Sequence, residues 1–137
     1  MPLRPASGPS SSTASSGRPC AKTPGLIPNA VEEMLRYDSS VPTWRRVTTR
    51  PVTIGGVDLS EGAKLLIALG SANHDQTQFV DGERFEIRRE NAKEHIAFSW
   101  ERHTCLGARL ARMEMHVAPE RVTSRLPQMR LVPQQEW

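Results

Sequence analysis

The spacing of hydrophobic residues changes several times after residue 25, and before that point such residues are almost missing. In "LIPNAVEEMLRY", Ala30, Met34 and Tyr37 recur at i, i+4 and i+7, the spacing of one helix face. Pro28-Asn29 reads as the start of that helix, and Glu32 and Glu33 as acids of its first turn. The rhythm then becomes alternating: Val52 and Ile54, a Gly55-Gly56 pair, then Val57 and Leu59. Two glycines between alternating segments predict a two-residue hairpin. "SEG" predicts another turn and "KLLIAL" a buried strand, whereas "NHDQTQFVDGERFEIRREN" has the aperiodic pattern of a loop. Beyond Cys105, Leu106, Leu110, Met113 and Val117 share one helical face, with Pro119 expected to kink or end that helix. "RLPQMRLV" reads as a short closing strand, and no internal repeat is present. The expected fold is mixed, mainly α with small β hairpins and strands.

Composition divides the chain in two. Residues 1–25 are Ser/Pro-rich and read as a disordered tail, which leaves residues 26–137 as one domain. Leu, Ile, Val and Phe make up only 28 of the 137 residues, so the core is lean. The net charge of +3 comes from Arg4, Arg18 and Lys22, because the remainder is balanced. A neutral body argues against a nucleic-acid surface, which needs clustered positive charge. The longest apolar run, Leu65–Leu69, is far too short to span a membrane. The start has no hydrophobic secretory segment, and the expected location is cytoplasmic.

Cys20 and Cys105 are the only cysteines, and with one of them in the tail a structural disulfide is not expected. Cys105 sits at the mouth of the last predicted helix, behind Arg102 and His103. Free N–H groups and the positive dipole end at such a mouth favour a thiolate, the form that ligates metal. Gly107 leaves the backbone open to a flat ligand. On local chemistry alone an inert core cysteine is the somewhat stronger reading. Zinc held by His95, His103, Cys105 and His116 is a third, although this spacing matches no common structural site.

"FSWERHTCLG" resembles the haem-binding signature of the cytochrome P-450 family, with Phe98, His103, Cys105 and Gly107 in register. Ser99 and Glu101 stand where the family usually has glycine, and Glu101 brings a Cβ to a place that needs glycine's backbone freedom. "EEMLR" resembles the family's Glu-x-x-Arg pattern through Glu33 and Arg36. "FVDGERF" resembles the later loop that donates a third, basic member, which implies a structural cluster of Glu33, Arg36 and Arg84. Gly82 replaces a frequent proline there, implying a less rigid loop. The stretch from Arg36 to Asp75 also resembles soluble bacterial members. It implies Arg46, rather than its neighbour Arg45, on one haem propionate and His103 on the other.

The resemblance runs from about Leu26 to Leu131 and implies the C-terminal, incomplete part of the family's fold. Haem iron would be bound axially by Cys105, with Phe98 and Gly107 beside it. The oxygen-activating helix and most of the substrate pocket belong to segments upstream of the resemblance, so stand-alone monooxygenase turnover is not expected. Ala30, Met34, Leu106, Leu110 and Met113 would then present apolar surface to solvent. The resemblance further implies a ferredoxin or flavoprotein electron donor, docking on the face of Arg102, Arg109 and Arg112. A rival reading is a degenerate, non-catalytic interaction module that has lost haem binding.

Overall fold

The computed structural model describes residues 23–129. Most of the tail and the end of "RLPQMRLV" lie outside these residues. A 3-10 turn at Pro24–Leu26 leads into α1 (Ile27–Tyr37), with Pro28 in its first turn, where a missing N–H costs no hydrogen bond. Glu32 and Glu33 stand beyond that first turn. The buried stripe of α1 is Ile27, Ala30, Val31 and Leu35, while Met34 and Tyr37 are half-buried at its flanks. With Ile87 these residues form the core, around which Phe85, Ala97, Phe98 and Met115 pack. Ala30 is therefore buried within the chain and does not face solvent.

Two small antiparallel ribbons follow. β1 (Thr43–Val47) pairs with β4 (Lys64–Ala68), with Arg46 opposite Leu65. Between them β2 (Val52–Ile54) and β3 (Val57–Leu59) form the expected hairpin. Gly55 and Gly56 turn it with φ of 57° and 79°, a left-handed pair that suits a tight two-residue turn. Gly62 supplies a second left-handed corner at "SEG". β4 is not the buried strand its composition suggests. Leu66 is 65% exposed, because β4 pairs only with β1 and no further layer covers the ribbon among the described residues.

After the short α2 (Leu69–Ala72) comes a long run of turns, then 3-10 turns at Ala92–Glu94 and Glu101–His103, and finally α3 (Ala108–Arg125). Pro119 lies within α3 and does not end it. The residues after Arg125 form a turn up to Met129, not a strand. α3 presents the expected apolar face to solvent, with Leu106 fully exposed and Leu110, Met113 and Val117 about half exposed. The face turned toward the protein carries Ala108, Arg112, Met115, Pro119 and Val122 instead.

A buried polar cluster holds the turns on α1. Arg36 and Glu33 are fully inaccessible. Arg36 Nε and Nη2 grip both Glu33 oxygens at 2.8 and 2.9 Å, while Nη1 donates to the carbonyls of Asn73 (2.6 Å) and Gly82 (2.9 Å). Nη2 also reaches the carbonyl of Arg84 at 3.2 Å. The third side chain of the cluster is Arg89, not Arg84. Arg89 Nε reaches Glu33 at 3.2 Å, and its other nitrogens bind the carbonyls of Val80, Asp81 and Arg84. The Arg84 side chain is 64% exposed and faces Glu86 at 3.5 Å, so Arg84 contributes only its backbone. Gly82 is fixed by proximity, since a Cβ there would sit 2.5 Å from the His74 carbonyl oxygen. Asn73, also fully buried, accepts the Ile96 N–H and donates to Ser39.

A second cluster ties α1 to α3. Glu32 accepts from Arg112 Nε at 2.7 Å and Nη2 at 3.0 Å, and from His95 Nε2 at 3.1 Å. His95 Nδ1 accepts the Ala97 N–H, so Nε2 carries the proton donated to Glu32. Burial pushes the Glu32 carboxyl up, but the hydrogen bonds from His95 and Arg112 and the Arg112 charge outweigh it and hold the group at about 2.

Arg36→Ala is expected to cost about 3–5 kcal/mol, since it strands a buried carboxylate and three carbonyls. Arg89→Ala should cost about 1.5–3 kcal/mol, and Arg84→Ala under about 1 kcal/mol as a surface pair. Urea unfolding followed by tryptophan fluorescence ranks the three; a loss in Arg84→Ala equal to that in Arg89→Ala would return the third place to Arg84.

Glu32 sets the acid limb of stability. Its folded value lies below the ordinary 4.5, so its contribution is complete above 4.5 and is lost as pH falls toward about 2. After solvent screening it is on the order of 1–3 kcal/mol. In Glu32→Gln the stability drop across that window should shrink by this amount. An acid limb superimposable on the parent's would show that Glu32 is not ionically held.

Candidate functional site

Cys105 is carried on a loop between Phe98 and α3. The chain turns sharply after Phe98, with the Ser99 N–H bound to the Ile96 carbonyl at 2.8 Å. The following 3-10 turn is closed by His103 N–H to Trp100 O and Thr104 N–H to Glu101 O. The loop then returns, and the Cys105 N–H donates to the Phe98 carbonyl at 2.9 Å. Two residues on the way are left-handed: Ser99 at φ 66° and Glu101 at φ 48°. These are the two positions where the resemblance expects glycine. A Cβ there costs on the order of 1 kcal/mol per residue.

Gly107 caps α3, and the Ala108 N–H binds the Cys105 carbonyl at 3.2 Å. A Cβ added at Gly107 would touch only the Cys105 Sγ, at 3.8 Å, so the space beside the sulfur is open. Cys105 itself is exposed.

Cys105 opens on a pocket of about 380 Å³ whose walls include Leu35, Val41, Trp44, Ala97 and Phe98. Arg46 and His103 line the same pocket. The fold thus brings Cys105, His103, Arg46 and Phe98 around one space, although Arg46 lies 59 positions before Cys105 in sequence. The Arg46 guanidinium donates to the Arg45 carbonyl at 3.0 Å and lies 5.9 Å from the Trp44 ring centre. A larger recess of about 630 Å³ lies elsewhere, between Tyr37, Pro42, His74 and Glu83, and holds neither the thiol nor an arginine.

Arg112 does not belong to an open basic face. It is bound to Glu32, and its guanidinium lies 4.8 Å over the centre of the Phe98 ring. Arg102 and Arg109 are exposed. The zinc alternative conflicts with His95, both of whose ring nitrogens are engaged, by Glu32 and Ala97. Among the described residues no group of three His, Cys, Asp or Glu could hold a metal ion, and no helix is long and apolar enough to cross a membrane.

Sequence reasoning missed Asn73 and Arg89, and it gave Glu32 and His95 other roles, a first-turn acid and a zinc ligand. For Arg89 the run "IRREN" offered only an aperiodic basic pair, and nothing local marks which arginine turns inward.

The cytochrome P450 family matches residues 25–126. The chain is 41% identical over 111 residues to the steroid C26-monooxygenase of Mycobacterium tuberculosis, covering 81% of this chain and 30% of that protein. It is 47% identical over 107 residues to putative cytochrome P450 140 of Mycobacterium bovis, covering 78% and 24%. Among solved structures, the P450 heme domain of Tepidiphilus thermophilus superposes with a TM-score of 0.84 at 47% identity, over 90% of this chain and 30% of that one. The chain therefore spans about a quarter to a third of the length of these relatives. The match covers both the Glu33–Arg36 cluster and the cysteine loop, and the chain belongs to the cytochrome P450 family.

Proposed function

We propose that this chain is the cysteine-bearing portion of a haem-binding monooxygenase, in which Cys105 would hold the haem iron. The observation that carries this reading is the shared pocket: one thiol, an arginine, a histidine and apolar walls. A single cysteine cannot hold a bare iron ion, and no second protein ligand set lies nearby among the described residues. A cofactor that brings most of the iron's ligands with it fits this donor set. Its apolar body suits Leu35, Val41, Trp44 and Phe98, and its carboxylates suit Arg46 and His103. Gly107 leaves the sulfur's flank clear. Haem held here through Cys105 would supply redox chemistry toward dioxygen.

The residues here bind and orient the group from one side. The opposite face, with oxygen activation and substrate selection, falls to the part of the family's length that this chain does not span. Monooxygenation is therefore proposed for a complete protein of which this is a region. Electrons would come from a ferredoxin or flavoprotein docking near the exposed Arg102 and Arg109. The second reading, an interaction module that no longer takes haem, is favoured by the left-handed Ser99 and Glu101.

Titration with haemin, followed by reduction under carbon monoxide, separates the two readings. Haem binding predicts a strongly red-shifted Soret band that Cys105→Ala abolishes and Cys20→Ala leaves intact. Arg46→Gln combined with His103→Gln should weaken haemin binding by about tenfold or more, from the loss of charged hydrogen bonds. The same band in Cys105→Ala would remove the cysteine from the iron, and no band in the parent would favour the interaction module.

Glu101→Gly relieves a left-handed residue and should stabilise the chain by about 1 kcal/mol while strengthening haemin binding. Differential scanning calorimetry and the haemin titration check the two effects; a destabilised variant would mean that the Glu101 side chain makes a compensating contact.

A further inference from the structure

We propose that Arg112 is a positioning residue for the cysteine loop, acting through Phe98. This inference rests on the reading of Cys105 as the ligand-bearing residue. Arg112 is held at two points by Glu32, through Nε at 2.7 Å and Nη2 at 3.0 Å. Glu32 is in turn oriented by the Nε2–H of the buried His95. The guanidinium so fixed has its central carbon 4.8 Å from the centre of the Phe98 ring. His95 flanks the same ring, with centroids 6.1 Å apart. Phe98 has two roles in the loop: its ring is held by Arg112 and His95, and its carbonyl accepts the Cys105 N–H at 2.9 Å. A shift of the ring would move that carbonyl, and with it the strut that sets where the sulfur stands.

The device suits arginine. A planar fork can bind a carboxylate with two donors while lying on an aromatic face, whereas a lysine ammonium offers a point charge and no plane. It also has a use in this loop. Ser99 and Glu101 hold strained left-handed conformations beside Phe98, and an unrestrained loop would relax out of them.

The test measures amide hydrogen exchange by NMR on the full 137-residue chain without haem. Arg112→Gln and Arg112→Lys should both speed exchange of the Cys105 amide at least tenfold more than that of the Val31 and Leu35 amides in α1, which share only the general loss of the Glu32 pair. Arg109→Gln should change neither. Unchanged Cys105 exchange in both Arg112 variants overturns the proposal, as does equal acceleration at Cys105, Val31 and Leu35, which would make Arg112 a general stabiliser. Full rescue by lysine also overturns it, since charge alone would then suffice. Should the Arg112 variants fail to fold, Phe98→Leu keeps the Arg112–Glu32 pair and removes the ring. It should loosen Cys105 by the same factor, and parent-like protection there refutes the clamp. Because no haem is present, a failed haemin titration with an intact exchange pattern would sink the haem reading alone.

Discussion

The structure depends on a charge that has no access to water. Arg36 spends all five of its N–H donors: two on Glu33 and one each on the carbonyls of Asn73, Gly82 and Arg84. Those carbonyls belong to a stretch with almost no regular secondary structure, whose backbone groups would otherwise have to be met by water. Glu33 completes the arrangement by accepting the Glu86 N–H and the Arg89 side chain. One helical turn thus acts as the template for about fifteen residues of turns. Among the described residues no buried side-chain nitrogen or oxygen lacks a partner. That completeness matters here because the apolar core, centred on Ile27, Val31, Leu35 and Ile87, is small. A lean core can tolerate a buried ion pair only if it is fully satisfied.

Where the sequence was legible, the signal was local. The Gly55-Gly56 hairpin, the first helix and the loop character of residues 73–91 follow from turn chemistry and periodicity. The gathering of Arg46 with His103 and Cys105 came from the resemblance, not from spacing. The errors share one cause. "KLLIAL" is as apolar as a core strand, but burial depends on what lies above it, and a strand sequence does not carry that information. The Leu106–Leu110–Met113 stripe is not among the errors: it lies open to solvent as expected, while Arg112 on another side of the helix meets Glu32 and Phe98. Arg84 and Arg89 are both arginines in one loop, and five residues of turns decide which side chain points inward.

The two clusters divide the work of α1 by its geometry. Glu32 and Glu33 are neighbours in sequence, about 100° apart around the helix. One reaches α3 and the cysteine loop, and the other reaches the turns after α2. A single two-residue step therefore couples the frame that holds the fold to the frame that holds the thiol. Displacing α1 along its axis would disturb both together. Neither frame relies on a carboxylate open to bulk solvent, so salt should screen them far less than it screens the exposed arginines.

Gly82 carries a consequence for how this sequence can change. Its backbone is not left-handed, so any residue could adopt its conformation; what forbids one is the His74 carbonyl, 2.5 Å from where a Cβ would stand. His74 is itself tethered, its ring bound to the Tyr37 carbonyl at the end of α1. The permissible side chains at position 82 are thus set by a residue eight positions away, and that residue by the helix terminus. Because the obstacle is backbone that every residue type carries, an exchange at 74 does not by itself clear it; the lineage leaves glycine only if the segment tethered at Tyr37 shifts with it.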